Sequence, residues 1–309
     1  DEVKSNEGGK KADYIKALFE QKEEHFGVSV CTIDGQRLNI GEEVVHEGER
    51  VNSTEQEFSI QSCSKPITYA MALEARGEEK VHKHIGVEPS GMPFNHQFLD
   101  KDNLPHNPMI NAGAIMASSL VPHQTEGKKS KDGNECKAYE EKRLDNVKNT
   151  WNKLAGNLGK GIDFSDEVYK SESGEPEGNQ ALAKLMRDAG AFPEWIKTSN
   201  KPAVKDDEDI DSVLQFYFKC CSLMSSTSKL SVVAATLANG GKCPLTGDQV
   251  FSEKTVEQVL TIMGTAGTYD SSGEFAFKVG LPAKSGVAGG LFVVVPGKMG
   301  ICTFSPKLD

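Results

Sequence analysis

Apolar and polar residues alternate along FGVSVCTID (26–34), the mark of a half-buried strand, which runs into a turn at Asp34-Gly35. The rhythm changes over SCSKPITYAMALEAR (62–76), where Ile67, Ala70, Met71 and Leu73 recur at helical spacing. Pro66 falls in the first turn of that helix, where a missing N–H is harmless, and Gly77 ends it. A second helix is predicted over KLSVVAATLA (229–238), stopped by Asn239-Gly240-Gly241. Near the end, GLFVVVPGKMGICTFSP (290–306) gives two apolar β runs joined at a Pro-Gly turn, a hairpin. A strand, then helices, then a closing hairpin predict an antiparallel sheet covered by helices, an α+β layering.

Three polar stretches interrupt the pattern: 40–57 (Glu42, Glu43, Glu47, Glu49, Glu55 and Glu57), the Lys/Glu/Gly-rich 122–143, and 198–211 (NKPAVKDDEDID). Such charge runs are expected to be solvated surface insertions, and none is long enough to link independent domains. At 309 residues the chain can bury a large core. Apolar content is 37%, and the 30 glycines and 13 prolines are scattered, which is globular composition. A formal charge of −10, with no basic stripe, argues against a nucleic-acid partner. No apolar run approaches the ~20 residues of a membrane helix, so no membrane partner is expected. The opening DEVKSNEGGKK carries neither a secretory apolar stretch nor an Arg-rich transit helix. The seven cysteines, Cys31, Cys63, Cys136, Cys220, Cys221, Cys243 and Cys302, include no CxxC pair. They read as buried free thiols in a reducing compartment, with no metal site.

The chemistry begins at Ser62-Cys63-Ser64-Lys65, an S-x-x-K at a helix start. At i and i+3 a hydroxyl and an ammonium share one helix face, and a desolvated lysine can act as base toward the serine. The signal is weak alone, because Ser226-Thr227-Ser228-Lys229 repeats it just before the second helix, where it reads as an ordinary capped helix start with an exposed lysine. Lys284-Ser285-Gly286 supplies the discriminating partner. K-[ST]-G on a strand edge, about 220 residues after S-x-x-K, suits the active-serine β-lactamases and penicillin-binding proteins, and its small residues let substrate lie against a backbone N–H. The middle motif of those proteins, S-x-N or Y-x-N, occurs nowhere in the chain. Something else must supply the second base or acid.

Longer blocks point elsewhere within that superfamily. IQSCSKP (60–66), EPSGMPFN (88–95), PHNPMINAGAI (105–115), SESGEPEGN (171–179), FYFKCCS (216–222), AATLANGGKCPLTG (234–247) and GLPAKSGVAGG (280–290) run in the order found in the glutaminase family. The chain resembles that family over nearly its whole length, and its animal kidney-type branch in particular. The resemblance implies a β-lactamase/DD-peptidase-like α+β fold: a central antiparallel sheet flanked by helices, with a helical subdomain. It also implies a flexible segment over 1–11 and a single catalytic domain over 12–309, longer than the family at the three polar stretches.

The resemblance further implies hydrolysis of L-glutamine to L-glutamate and ammonia without a cofactor. Ser62 would attack the side-chain amide, and Lys65 and Tyr269 would move the protons. The backbone N–H groups of Ser62 and Val287 would form the oxyanion hole. Tyr14, Gln61, Asn111, Glu172, Asn179, Tyr217 and Val287 would bind substrate, with Glu172 matched to the α-ammonium and the amides and tyrosines to the α-carboxylate. The histidines have no catalytic part in this scheme. Residues 91–100 resemble the mobile loop at the kidney-type tetramer interface, keeping Phe98 but carrying His96 and Gln97 in place of Lys-Leu. A homodimer or homotetramer, phosphate activation, and an intracellular location, mitochondrial rather than cytoplasmic, follow from the same likeness. Two other readings share the fold: a β-lactamase or peptidase, against which the absent middle motif counts, and a non-catalytic, filament-forming relative, which would be expected to lack Ser62, Lys65 or Tyr269.

Overall fold

The structure is a computed structural model, and it describes residues 8–308 apart from 14, 20, 47–48, 94, 123–132, 175 and 198–207. Its centre is the strand Gly27–Thr32, whose residues alternate between buried and half-buried as the sequence pattern requires. The closing hairpin, Gly290–Val295 and Met299–Phe304, adds to it antiparallel, with Gly27 opposite Phe304 and Thr32 opposite Met299. Arg37–Gly41 and Ala283–Ser285 form the two edges of this five-stranded sheet. The helix Thr227–Ala238, buried along its whole length, lies across the sheet. It approaches so closely that a side chain at Gly300 would collide with the backbone of Ser231 and Ala235.

The helical part is built round Lys65–Arg76, whose residues Lys65 to Leu73 are all buried. A helix enclosed on every side belongs to the interior, and this one packs against Asn111–Leu120 and Glu253–Ala266. Ile210–Cys221, Asp166–Ser173 and Glu177–Asp188 complete that layer. A small three-stranded sheet of Phe58–Ser59, Leu223–Ser225 and Asp163–Phe164 also forms. One continuous core runs from Phe292, Val294 and Phe304 of the main sheet to Ile67, Ile115 and Trp151 of the helices. Among the described residues no helix is long and apolar enough to cross a membrane.

Several local expectations need correction. The helix expected from residue 62 begins at Lys65, and Gln61–Ser64 is a 3-10 turn, because Gln61 has a left-handed φ of 46° that an α-helix excludes. The stretch 40–57 is not an irregular loop, although Glu42, Glu43, Arg50, Asn52 and Glu55 are exposed. Glu43–His46 and Glu49–Asn52 pair as a hairpin, and Ser53, Thr54 and Gln56 after it are buried. Residues 133–143 of the second stretch start the long helix Gly133–Leu154, with Arg143 buried and its guanidinium donating to the Ser118 and Val121 carbonyls. In the third, Glu208–Asp209 pairs with Ile196–Lys197 before the helix starts at Ile210, while 198–207 lies outside the described residues. Of the segment expected to be flexible, Lys10 instead pairs with Leu308, each N–H donating to the other's carbonyl. Lys229 is not exposed. It is buried in an ion pair with Glu57 at 2.8 Å and donates to the Gly161 carbonyl.

Candidate active site

Ser62 sits on the 3-10 turn where the helical part meets the edge strand Ala283–Ser285. Two contacts hold that junction. The buried Cys63 sulfur lies 3.5 and 3.6 Å from the carbonyl oxygens of Lys284 and Gly290, either of which can accept its S–H. Gly286 comes so near the turn that a Cβ on it would lie 2.9 Å from the Ile60 oxygen. The strand end bearing Val287 is thereby brought against the residue before Gln61 and Ser62. The K-[ST]-G glycine is thus required by close approach of two backbones.

Lys65 is the centre of the site. Its Nζ lies 3.0 Å from Ser62 Oγ, 2.7 Å from Asn111 Oδ1 and 3.4 Å from the Tyr269 hydroxyl. All three partners are uncharged. Lys65 is 1% exposed, and burial pulls its ammonium down to about 8, against the opposing pull of nearby thiols and Glu172. An amine with that value is partly neutral near pH 8 and can accept the Ser62 proton.

Tyr269 arrives on a second strained turn. Its φ is 59°, unusual for a bulky residue, and Gly267 before it presses so closely on Ala283 that no side chain fits there. The buried Lys284 secures this turn. Its Nζ donates to the carbonyls of Gly267 and Ser285, each at 2.9 Å, and stands 3.9 Å from the centre of the Tyr269 ring. Burial, reinforced by the charge on Lys65, holds Lys284 well below the usual lysine range. The Tyr269 hydroxyl thus lies within reach of Lys65 while its ring packs over Lys284.

Gln61, Asn111, Glu172, Asn179 and Tyr217, five of the seven residues expected to bind substrate, lie beside this centre. Asn111 heads the helix Asn111–Leu120, and its amide bridges Lys65 to Asn179, donating from Nδ2 to Asn179 Oδ1 at 3.0 Å. Gln61 Nε2 donates to Glu172 at 3.2 Å. Glu172 is only half-buried as a residue, yet desolvation of its carboxyl raises it to about 7, opposed by bonds from Gln61 and Cys221 and by Lys65. Tyr217 is buried near Glu172 and Tyr269, and burial keeps its hydroxyl protonated far above neutrality, hence a donor. Tyr14 lies outside the described residues. Its neighbours Ala12, Ile15 and Leu18 pack on Ala288, next to Val287. Sequence reasoning missed Lys284 as an individual site residue, although its motif had been singled out. It also missed the left-handed turns at Gln61 and Tyr269, for which the sequence carries no glycine as a signal.

A serine with a buried lysine on its hydroxyl thus sits at the seam of an antiparallel sheet and a helical layer. Comparison with known proteins identifies the family. A family model described as Glutaminase matches residues 9–309. The mouse protein named glutaminase liver isoform, mitochondrial, is 39% identical over 309 residues, all of this chain and 45% of that protein. Putative glutaminase 2 of Caenorhabditis elegans is 40% identical over 308 residues, again 45% of its length. Among solved structures, a probable glutaminase superposes with a TM-score of 0.81 at 33% identity, covering 99% of this chain and 86% of the other. Mglu in its glutamate form gives 0.80 at 30% identity, covering 100% and 61%. The chain belongs to the glutaminase family and has its β-lactamase-like α+β fold. It spans less than half the length of these curated animal relatives.

Proposed function

We propose that residues 12–309 act as one catalytic domain that hydrolyses L-glutamine to L-glutamate and ammonia. The observation that carries this reading is the Lys65 amine, 3.0 Å from Ser62 Oγ and within 3.4 Å of the Tyr269 hydroxyl, inside a glutaminase-family chain. Lys65 in its neutral form takes the Ser62 proton as the oxygen attacks the side-chain amide carbon. The oxyanion is received by the N–H groups of Ser62 and Val287. Tyr269 donates to the departing ammonia, leaving a γ-glutamyl ester on Ser62. Water, deprotonated by the same tyrosine, attacks the ester carbon, and the Ser62 oxygen leaves with the proton that Lys65 holds, releasing glutamate.

Glu172 takes the α-ammonium. Asn179, Tyr217 and Tyr14 take the α-carboxylate, with Asn111 holding both Lys65 and Asn179 in place. Such a site rejects amides lacking either α-group, because their absence leaves buried partners unpaired. Ammonia release from glutamine and asparagine, with Ser62→Ala and Lys65→Ala as controls, tests the reading. Glutamine turnover that survives Ser62→Ala sinks it.

We further infer a homo-oligomer and phosphate activation from the kidney-type resemblance, and a mitochondrial location from the animal relatives, two of which are named mitochondrial. Light scattering with and without phosphate checks assembly, and glutamate release measured in the same samples checks activation.

A further inference from the structure

The polar network of the site continues into a buried hydroxyl on the short strand Phe58–Ser59. Ser59 is 1% exposed. Its Oγ donates to the Cys221 carbonyl at 2.9 Å and accepts from Gln61 Nε2 at 3.1 Å. The same Nε2 donates to Glu172 Oε2 at 3.2 Å.

Donor and acceptor inventory permits one arrangement. A hydroxyl has a single hydrogen, and that of Ser59 is committed to a carbonyl, which only accepts. Ser59 therefore turns a lone pair toward Gln61, and the glutamine must answer with its NH2 end. The carbonyl end would bring two oxygens together with no hydrogen between them. Once NH2 faces Ser59, it faces Glu172 as well. Without Ser59 the amide has two orientations of nearly equal shape, and a protonated Glu172 could hold the wrong one by donating to the amide oxygen.

We propose that Ser59 is a positioning residue: its hydroxyl, held by the Cys221 carbonyl, fixes which end of the Gln61 amide faces Glu172 and so keeps a donor on that carboxylate. Its consequence for catalysis rests on the glutaminase reading, in which Glu172 receives the substrate ammonium; the network itself does not. The other groups acting on Glu172 are Lys65 from the helix after Ser62, and Cys221 and Tyr217 from the helix Ile210–Cys221. Ser59→Ala touches none of them directly except the Cys221 carbonyl.

Two measurements test this. In Ser59→Ala the value of kcat/KM falls about 10-fold at about pH 6, through KM and not kcat, and returns near wild type at about pH 9, as expected for a carboxyl titrating about one unit higher. Ser59→Thr, which keeps the hydroxyl, restores the acid side. Independently, the infrared carboxyl band that vanishes in Glu172→Gln titrates near about 7 in the wild type and higher in Ser59→Ala. An unmoved infrared titration, an equal loss of kcat/KM at both pH values, or a folded Ser59→Thr that restores nothing overturns the proposal. If the wild type releases no glutamate while the infrared band still shifts, the glutaminase reading fails and the role of Ser59 stands.

Discussion

Ser62-x-x-Lys65 and Ser226-x-x-Lys229 are the same motif at two helix starts, and the fold uses them oppositely. Ser226 is a true N-cap: its backbone is extended, φ −121° and ψ 165°, and its Oγ accepts the Lys229 N–H. Ser62 caps nothing. It follows a left-handed Gln61 on a 3-10 turn, three residues before the α-helix, so its hydroxyl is left for the lysine side chain. The lysines differ more. Both are buried, but Lys229 meets the Glu57 carboxylate, whereas Lys65 meets a serine, an amide and a phenol. A buried ammonium among neutral partners tends to lose its proton. What separates the two is the counter-ion in contact, which Lys229 has and Lys65 lacks.

The largest effects should fall on activity. Ser62→Ala and Lys65→Ala are expected to lower glutamine turnover by roughly 10³-fold or more, the scale of losing a nucleophile or its base. Ser226→Ala and Lys229→Ala should leave kcat within about 3-fold wherever the protein remains folded. A comparable loss at both sites removes the distinction.

Stability should move the other way. Lys65 binds its proton less tightly folded, at about 8, than its ordinary value of 10.5. Below about pH 8 the folded state therefore carries a cost of about 3 kcal/mol, which fades as pH rises toward 10.5, where the unfolded chain binds more protons. Lys65→Met should accordingly raise the denaturation midpoint at neutral pH while abolishing activity. Lys229→Met should lower stability by about 2 kcal/mol, since it strands Glu57. Chemical denaturation of both variants at neutral pH measures the pair, and a destabilised Lys65→Met breaks the argument.

The same proton sets the rate profile. With Lys65 required neutral, kcat should climb about 10-fold per pH unit below about pH 8 and level off above it. An acid limb centred near the Glu172 value of about 7 should appear in kcat/KM, because ammonium binding needs the carboxylate. A kcat flat from pH 6 to 9 would show that Lys65 is not the base whose ionisation controls the slow step.

What could be read from the sequence divides along similar lines. The Gly27–Thr32 strand, the closing hairpin and the two helices were legible because each carries its own period and its own stop signal. The Lys284-Ser285-Gly286 edge and the Asn111 block were legible through resemblance. The polar stretches misled, since charge along 40–57 conceals a hairpin whose following residues Ser53, Thr54 and Gln56 are buried. Nor did composition separate Lys65 from Lys229. Their difference lies in partners 46 and 172 residues away, Asn111 and Glu57, which only the folded chain brings together.

The smallest effect is also the cleanest discriminator between the two serines. Ser226→Ala removes a side-chain acceptor from the first turn of the helix Thr227–Ala238, an orphan N–H that water cannot easily reach because Ser226 is fully buried. The expected cost is about 1 kcal/mol, with activity unchanged. Ser62→Ala removes no cap, and it leaves Lys65 still bonded to Asn111, so its stability should shift by only a few tenths of a kcal/mol even as turnover disappears. Urea midpoints for the two variants, measured beside their activities, should therefore cross: the silent serine stabilises the fold, and the reactive one is nearly dispensable to it. Equal midpoints would mean that the 3-10 turn at Ser62 also depends on its hydroxyl.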